Sequence, residues 1–431
     1  MTVVAGPWRV SAAHLRAVAI GVVGVTIAVL FRLPVLLVLA APWAIVAVWS
    51  TATRPSGTAT LSSSLRPETV REGDATTWTG TLSEAGAVDH LVAAMPDRAW
   101  LETRPRSGVV VAHADDAAAP ATAQLAIRST HWGRTRAGPI ELVAVSPWGA
   151  FRSVALDAGQ DLTTLPLPAV FDAAPSMHHA DGLVGLTRSV HPGEGTEFAG
   201  IRPFRTGDRL RRINWRRSLR AGELHVTGTY ADQDTHVALF VDALADFGMS
   251  EGIDGAASSL DTAVRAAGAI AEHFLQRGDR VSLMVLGGRR PASVAAGSGR
   301  SHLRRILAVL ARVEPSVEQR APVNRPPVLA GDALAIMLSP LVSPTALDRA
   351  IAIARHGLTV AVVDTLPDDV HVVDDRTTEL AWRIRLLERR REIREVERAG
   401  VPVIAWRGAG SLDPFLREVA RRSAAPRLAR R

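Results

Sequence analysis

Two apolar runs open the chain. From Ala17 to Phe31 and from Leu33 to Thr53 there is no charged residue, and Arg32 and Pro34 fall at the break between them. A membrane-crossing helix needs about 20 mostly apolar residues, and an arginine at its end can stretch its charge to the interface, so Arg16 and Arg32 can bracket the shorter run. The pattern predicts two spans joined by a tight turn. A cleaved signal peptide fits less well, because the second run follows at once and would act as a stop-transfer segment. Arg9, Arg16 and Arg54 flank the outer ends against Arg32 alone at the tip, and this bias places both chain ends in the cytoplasm.

The period then changes. Between Thr58 and about Leu167, short apolar or alternating runs recur at Trp78 to Leu82, Val88 to Met95, Val109 to Ala112, Leu125 to Ser129 and Ile140 to Val145, separated by turn residues. Strand-length runs at this spacing predict a small antiparallel sandwich. From His236 the rhythm becomes strand, helix, strand. Val237 to Asp242 reads as a buried strand, and Leu260, Val264, Ala267, Ile270 or Ala271, and Phe274 share one helical face, with Ser258 or Ser259 to start it and Gly278 to end it. Further strands are expected at Val281 to Leu286, Ala333 to Leu338, Leu358 to Val363 and Val401 to Trp406. Helices are expected near His302 to Arg312, Thr345 to Arg355 and Thr377 to Arg398. That alternation predicts a doubly wound, largely parallel sheet.

The last of those helices is charge-dense. Its acids and arginines offer pairs such as Glu388 with Arg391 and Arg391 with Glu395, and Leu386, Leu387, Ile393 and Val396 supply an apolar side, so it reads as a solvated amphipathic helix. The basic tail, with Arg421, Arg422, Arg427, Arg430 and Arg431, can touch anionic lipid or be a disordered end.

One stretch fits neither period: Gly193 to Val226, GEGTEFAGIRPFRTGDRLRRINWRRSLRAGELHV. Eight arginines (Arg202, Arg205, Arg209, Arg211, Arg212, Arg216, Arg217, Arg220) stand among four acids, Glu194, Glu197, Asp208 and Glu223. It reads as loop, turn and short strand, and its guanidinium forks suit carboxylates or phosphates.

Here the chain resembles a known family. The run G-x-G-x-EF (Gly193, Gly195, Glu197, Phe198), then R-x-F-x-x-GD-x-x-R-x-INW (Arg202, Phe204, Gly207, Asp208, Arg211, Ile213, Asn214, Trp215) and R-x-x-x-L-x-V beginning at Arg220, is similar to the signature of the domain-of-unknown-function 58 family. The resemblance implies a multidomain protein: a two-helix transmembrane hairpin (1–57), a β-sandwich-like domain (58–170), the arginine-rich signature segment (171–234) and a Rossmann-like, von Willebrand factor A-type α/β domain (235–431). It also implies a MoxR-type AAA+ ATPase as partner, and no known reaction. Ser146 to Phe151, SPWGAF, resembles the family's turn before its last sandwich strand, where Trp148 is expected to cover an edge, with a binding role as the alternative.

Composition narrows the chemistry. The formal charge is +7 and the pI about 11.1, and there is neither lysine nor cysteine. That removes a P-loop, a Schiff-base or kinase-type lysine, disulfides, a thiol nucleophile and cysteine-bound zinc. His178, His179 and His191 lack further ligands at metal spacing. In the resembled α/β domain the first strand ends in D-x-S-x-S and binds a divalent cation. Here Asp242, Ala243, Leu244, Ala245 and Asp246 keep the first aspartate and lack both hydroxyls, and Leu338 to Leu341 lacks the later aspartate. Asp242 is therefore a weak metal candidate, and no metal or cofactor is expected.

Three functions compete for the signature. Glu194, Glu197 and Asp208 can brace the arginines structurally or present them to a partner. They can instead perform acid/base work on an anionic substrate held by Arg202, as a hydrolase or transferase. The arginines can also neutralise nucleic-acid phosphates, but only Phe198, Phe204 and Trp215 are nearby rings for stacking, so this is the weakest of the three. Trp215, among Ile213, Leu219 and Leu224, is expected to anchor the loop in a core, or else to be an interface hot spot. The expectation is a non-enzymatic membrane scaffold or adaptor, anchored as a multi-pass protein with its soluble domains in the cytoplasm.

Overall fold

The computed structural model describes residues 2–55, 59–83, 88–113, 120–167, 192–205, 208, 210–230, 236–287, 292–316, 333–368, 370 and 375–406, with backbone alone at 192–199 and 229–230. His178, His179, His191, Gly207 and the basic tail lie outside the described residues. The chain divides into two compact units, Met1–Pro166 with Gly252–Asp254, and Leu167–Glu251 with Gly255–Arg431.

In the first unit the two apolar runs are helices Ala12–Leu30 and Pro34–Ala52, each of 19 residues. At 1.5 Å per residue each is about 28 Å long, near the ~30 Å hydrocarbon thickness of a bilayer. Both are long and apolar enough to cross a membrane. Ser11 starts the first by accepting from the His14 amide at 3.1 Å, and Arg32 makes the turn at φ 56°. The helices meet through small residues: a Cβ on Gly24 would lie 2.7 Å from the Ala40 Cβ, and one on Gly21 3.1 Å from the Ala44 backbone. Such contacts let two backbones approach closely. Val22, Val23, Val38, Leu39, Val48 and Trp49 face outward and exposed.

Sheets enclose an apolar core in the rest of this unit. One five-stranded antiparallel sheet orders Thr2–Val4, Thr60–Arg66, Ala75–Ser83, Ala121–Ser129 and Leu101–Arg104; the other orders Arg9–Val10, Phe151–Asp157, Ile140–Val145, His90–Ala94 and Val109–His113. The first ten residues, assigned to the hairpin on sequence, thus supply two strands. A three-stranded sheet, Gly133–Ala137, Gln160–Leu165 and Thr69–Arg71, contains a parallel pair that the sequence reading did not expect. Alternation is strict where predicted: along Ala121–Ser129 every second residue is buried. Trp78 is fully buried, and its Nε1 donates to Asp157 Oδ2 at 2.9 Å while Oδ1 accepts from the Gly159 amide at 3.0 Å, so the buried carboxylate is satisfied.

The second unit holds a six-stranded sheet ordered Ser293–Gly297, Arg280–Gly287, His236–Ala243, Leu334–Ser339, Thr359–Asp364 and Val403–Ala405. All neighbours are parallel except the edge strand Ser293–Gly297, which the sequence reading missed. Central strands are buried nearly end to end, as both faces of a parallel sheet must be. Helices Pro344–Arg355 and Arg376–Arg398 cover Ala238, Phe240, Ala335, Met337, Val360 and Val362, while Ser259–Gln276 packs on three of the strands. A capping box starts Ser259–Gln276, Ser258 and Asp261 each bonding the other's amide.

Candidate functional site: the arginine-rich ribbon

The signature folds as a two-stranded antiparallel ribbon, Pro192–Pro203 against His225–Tyr230, whose long connection carries a 3-10 turn, Leu210–Arg212, and a short helix, Trp215–Ala221. Gly193, Glu194, Gly195, Glu197 and Phe198 lie on the first strand, and their side chains are outside the described set. Of the remaining positions, Gly207 lies outside the described residues, Arg211, Trp215 and Arg220 are exposed, and Arg202, Phe204, Asp208, Ile213 and Asn214 make traceable local contacts.

Arg202 grips Asp208 with both forks, Nη1 to Oδ2 and Nη2 to Oδ1, each at 2.7 Å, and the Arg205 amide donates to Oδ2 at 2.8 Å. Two charge-assisted bonds in parallel fix geometry as well as position. They hold the Asp208 carboxyl well below the usual range, from 3.8 to about 2, with the Arg202 hydrogen bonds the largest cause and the Arg205 amide next. An acid depressed in the folded state stabilises above its unfolded pKa and loses that contribution as pH falls through the folded one. The ribbon should therefore hold its shape from neutral pH to about pH 4 and loosen between there and about pH 2. Carboxyl NMR of Asp208 checks this, and titration at an ordinary aspartate pKa would contradict it.

Beyond this clamp, the Phe204 amide donates to the Leu224 carbonyl at 2.8 Å, and Ile213 bridges to Val226; both of the latter are buried. Asn214 accepts from the Arg217 amide at 3.1 Å and so starts the helix, and its own amide donates to His225 O at 2.8 Å. Ser218 is the buried pin: its hydroxyl donates to Asn214 O and accepts from the His225 amide, both at 2.9 Å. Gly222 closes the helix at φ 73°, a left-handed conformation that a glycine adopts without strain.

This framework corrects the expectation for Trp215. With Ile213, Ser218 and Val226 turned inward, Trp215 is 62% exposed, Leu219 83% and Leu210 70%. The core-anchor reading fails and the interface reading remains. Arg211, Arg216, Arg217, Arg220 and Glu223 of the same connection are exposed as well. Chemically the exposed groups of this connection are an indole, leucines and several guanidinium groups.

Asp242, the weak metal candidate, is 2% exposed at the end of its strand. Its Oδ2 accepts from the Ser339 hydroxyl at 2.6 Å and its Oδ1 from the Leu244 amide at 3.0 Å, and burial pushes the carboxyl upward. Asp246 is used elsewhere, accepting from the Ser259 hydroxyl at 3.0 Å and the Leu260 amide at 2.9 Å. Among the described residues no group of three or more His, Asp or Glu side chains is placed to hold an ion.

A cleft of about 920 Å³ opens beyond the strand ends Asp364 and Ala405, lined by acids and arginines together. Four of its eight charged side chains form ion pairs, Arg389 with Asp364 and Arg383 with Glu379 at 2.6 Å, while Asp375 caps helix Arg376–Arg398. Sequence reasoning missed Arg389. It is 8% exposed, and its Nε donates to Pro340 O at 2.9 Å, inside a helix expected to be solvated. Of the expected apolar side Val396 is buried, but Leu387 is 62% exposed. Arg391 does pair with Glu395 at 3.2 Å, whereas Glu388 pairs with Arg385, not Arg391.

Uncharacterized proteins of Mycobacterium bovis (strain ATCC BAA-935 / AF2122/97) and Mycobacterium tuberculosis (strain ATCC 25618 / H37Rv) are 30% identical over 197 residues, 42% of this chain and 59% of theirs. The chain thus spans somewhat less than two thirds of the curated relatives it matches. Among solved structures, the cupredoxin domain of amoB from Nitrosocaldus yellowstonii aligns with 25% of this chain and 86% of its own, at 9% identity and a TM-score of 0.17, too slight to indicate a shared fold. Residues 200–396, from the ribbon through the last long helix, match the family described as protein of unknown function DUF58.

Proposed function

We propose that this protein is a membrane-anchored adaptor whose arginine-rich ribbon docks a protein partner. The carrying observation is the exposure of Trp215 and Leu219 on a helix held to the ribbon by Asn214 and Ser218. An exposed aromatic with leucines and arginines on one short connection has the make-up of an interface hot spot, and it favours a partner with apolar and acidic groups. By family resemblance the first candidate is a MoxR-type AAA+ ATPase. The α/β domain is Rossmann-like, of von Willebrand factor A type, with a metal site reduced to Asp242 and Ser339, and serves as a platform without a cofactor. The apolar hairpin anchors the chain as a multi-pass protein of the cell membrane, and its arginine bias puts the soluble domains in the cytoplasm.

The enzymatic alternative has less support. Asp208 is engaged by Arg202 and held at a pKa of about 2, unsuited to proton transfer near neutrality. Purification of the intact chain from membranes tests the adaptor reading. An AAA+ ATPase should co-purify stoichiometrically and be lost with Arg216→Glu/Arg217→Glu. Retention of the ATPase by that variant, or turnover of a phosphorylated compound by the isolated chain, would contradict it.

A further inference from the structure

The turn Ser146–Ala150 carries an exposed indole that the sheets around it do not use. Trp148 is 65% exposed, contrary to the expected edge cover, and sits at φ 64°, a backbone region bulky residues seldom adopt. An outlier of this kind on an exposed aromatic points to a role outside the fold.

The turn is fixed to the base of the apolar hairpin. The Ser11 amide, at the cap of helix Ala12–Leu30, donates to the Ala150 carbonyl at 2.9 Å, and Val10 pairs with Phe151 in the sheet. The Phe151 ring lies 5.4 Å from the His14 ring, and His14 Nδ1 is 3.0 Å from the Ser50 hydroxyl near the end of the second helix. The Arg54 guanidinium stands 5.4 Å over the same Phe151 ring. Trp148 is therefore held beside the level at which both helices leave the apolar zone.

Charge points the same way. No acid precedes Glu68 in the sequence and none lies between Glu141 and Asp157; the fold brings Asp89 to this sheet end, its amide donating to the Val145 carbonyl and its carboxyl 3.0 Å from His90 Nδ1, while Arg9, Arg16, Arg54 and Arg152 are exposed. Tryptophan favours the headgroup level, where its ring is amphipathic, and arginines near a surface are drawn to anionic lipid. We propose that Ser146–Ala150 is a membrane foot: Trp148 enters the headgroup layer of the leaflet next to the chain ends, and Arg9 and Arg54 face anionic lipid headgroups. This rests on the membrane reading of the hairpin and adds a second, sheet-borne contact with the same bilayer.

The absence of cysteine permits a direct test. In the full chain, Trp148→Cys, Val111→Cys and Val22→Cys are each labelled with an environment-sensitive fluorophore and reconstituted in phosphatidylcholine and phosphatidylglycerol vesicles. Nitroxides placed on the lipid headgroup or mid-chain serve as quenchers. Val111 is exposed on a strand, and Val22 is exposed on the first helix. The expected result is headgroup quenching several-fold stronger at 148 than at 111, reduced when phosphatidylglycerol is omitted, with mid-chain quenching at 22. Quenching at 22 with position 148 behaving like 111 would overturn the foot and leave the hairpin reading standing. A folded protein with no quenching at 22 would overturn both. A blue-shifted label at 148 without lipid quenching would mean that a protein contact covers it, and would also overturn the foot. If Trp148→Cys does not fold, the same readout at Arg152→Cys, exposed on the strand that leaves the turn, decides.

Discussion

Trp215→Ala should weaken partner binding by about thirtyfold, the loss of ~2 kcal/mol that marks a central aromatic anchor. The melting temperature of the second unit should not move, because the indole is mostly in solvent and the helix beneath it is held by Asn214, Ser218 and Gly222. Titration of the purified partner against wild-type and variant chains checks the first half, and thermal unfolding the second. Leu219→Ser should act in the same direction. Ser218→Ala gives the contrast: it strips the hydroxyl that links Asn214 O and the His225 amide, so it should disturb the ribbon itself. A Trp215→Ala chain that unfolds would return the indole to a structural role.

The largest effect on stability is expected at Arg389→Ala. Removing one partner of a buried ion pair costs ~3–5 kcal/mol, because the remaining charge stays buried without compensation. Here the remaining charge is Asp364, 18% exposed at a strand end and already pushed upward by burial, with Arg389 the main group opposing that shift. The same change also frees the Pro340 carbonyl, which Arg389 Nε bonds. The sign of the pH dependence follows. An acid whose folded pKa lies above its unfolded value contributes stability below the unfolded pKa and loses it as pH rises through the folded one. The defect should therefore be larger at pH 8 than at pH 5, and adding Asp364→Asn should restore part of it. Urea unfolding at the two pH values measures both; equal losses at both would show that the pair is solvated.

The course of the chain was largely legible in its sequence where one period dominates. Charge-free runs defined the hairpin, alternation defined strands such as Ile140–Val145, and buried runs such as Val237 to Asp242 defined the parallel sheet. What escaped was set by contacts distant in sequence. Arg389 reads as one more charge on a solvated helix until Asp364, from a neighbouring strand, and Pro340 stand beside it. The edge strand Ser293–Gly297 is five residues of small side chains with little apolar signal. In the ribbon, helix Trp215–Ala221 was hidden by its arginines, although Asn214 and Gly222 have the spacing of a start and a stop signal. Trp215 was misplaced for a general reason. Large aromatics are usually buried, and only the inward turn of Ile213, Ser218 and Val226 shows that this one faces out.

The ribbon's value as a docking face depends on what meets Leu219, 83% exposed and one helical turn from Trp215. A photo-crosslinking amino acid placed there in the full chain, and activated in native membranes, reads this contact directly. The account predicts a covalent adduct with one protein, abolished by Trp215→Ala. Cross-links confined to the chain's own residues, or adducts with nucleic acid in place of protein, would contradict it.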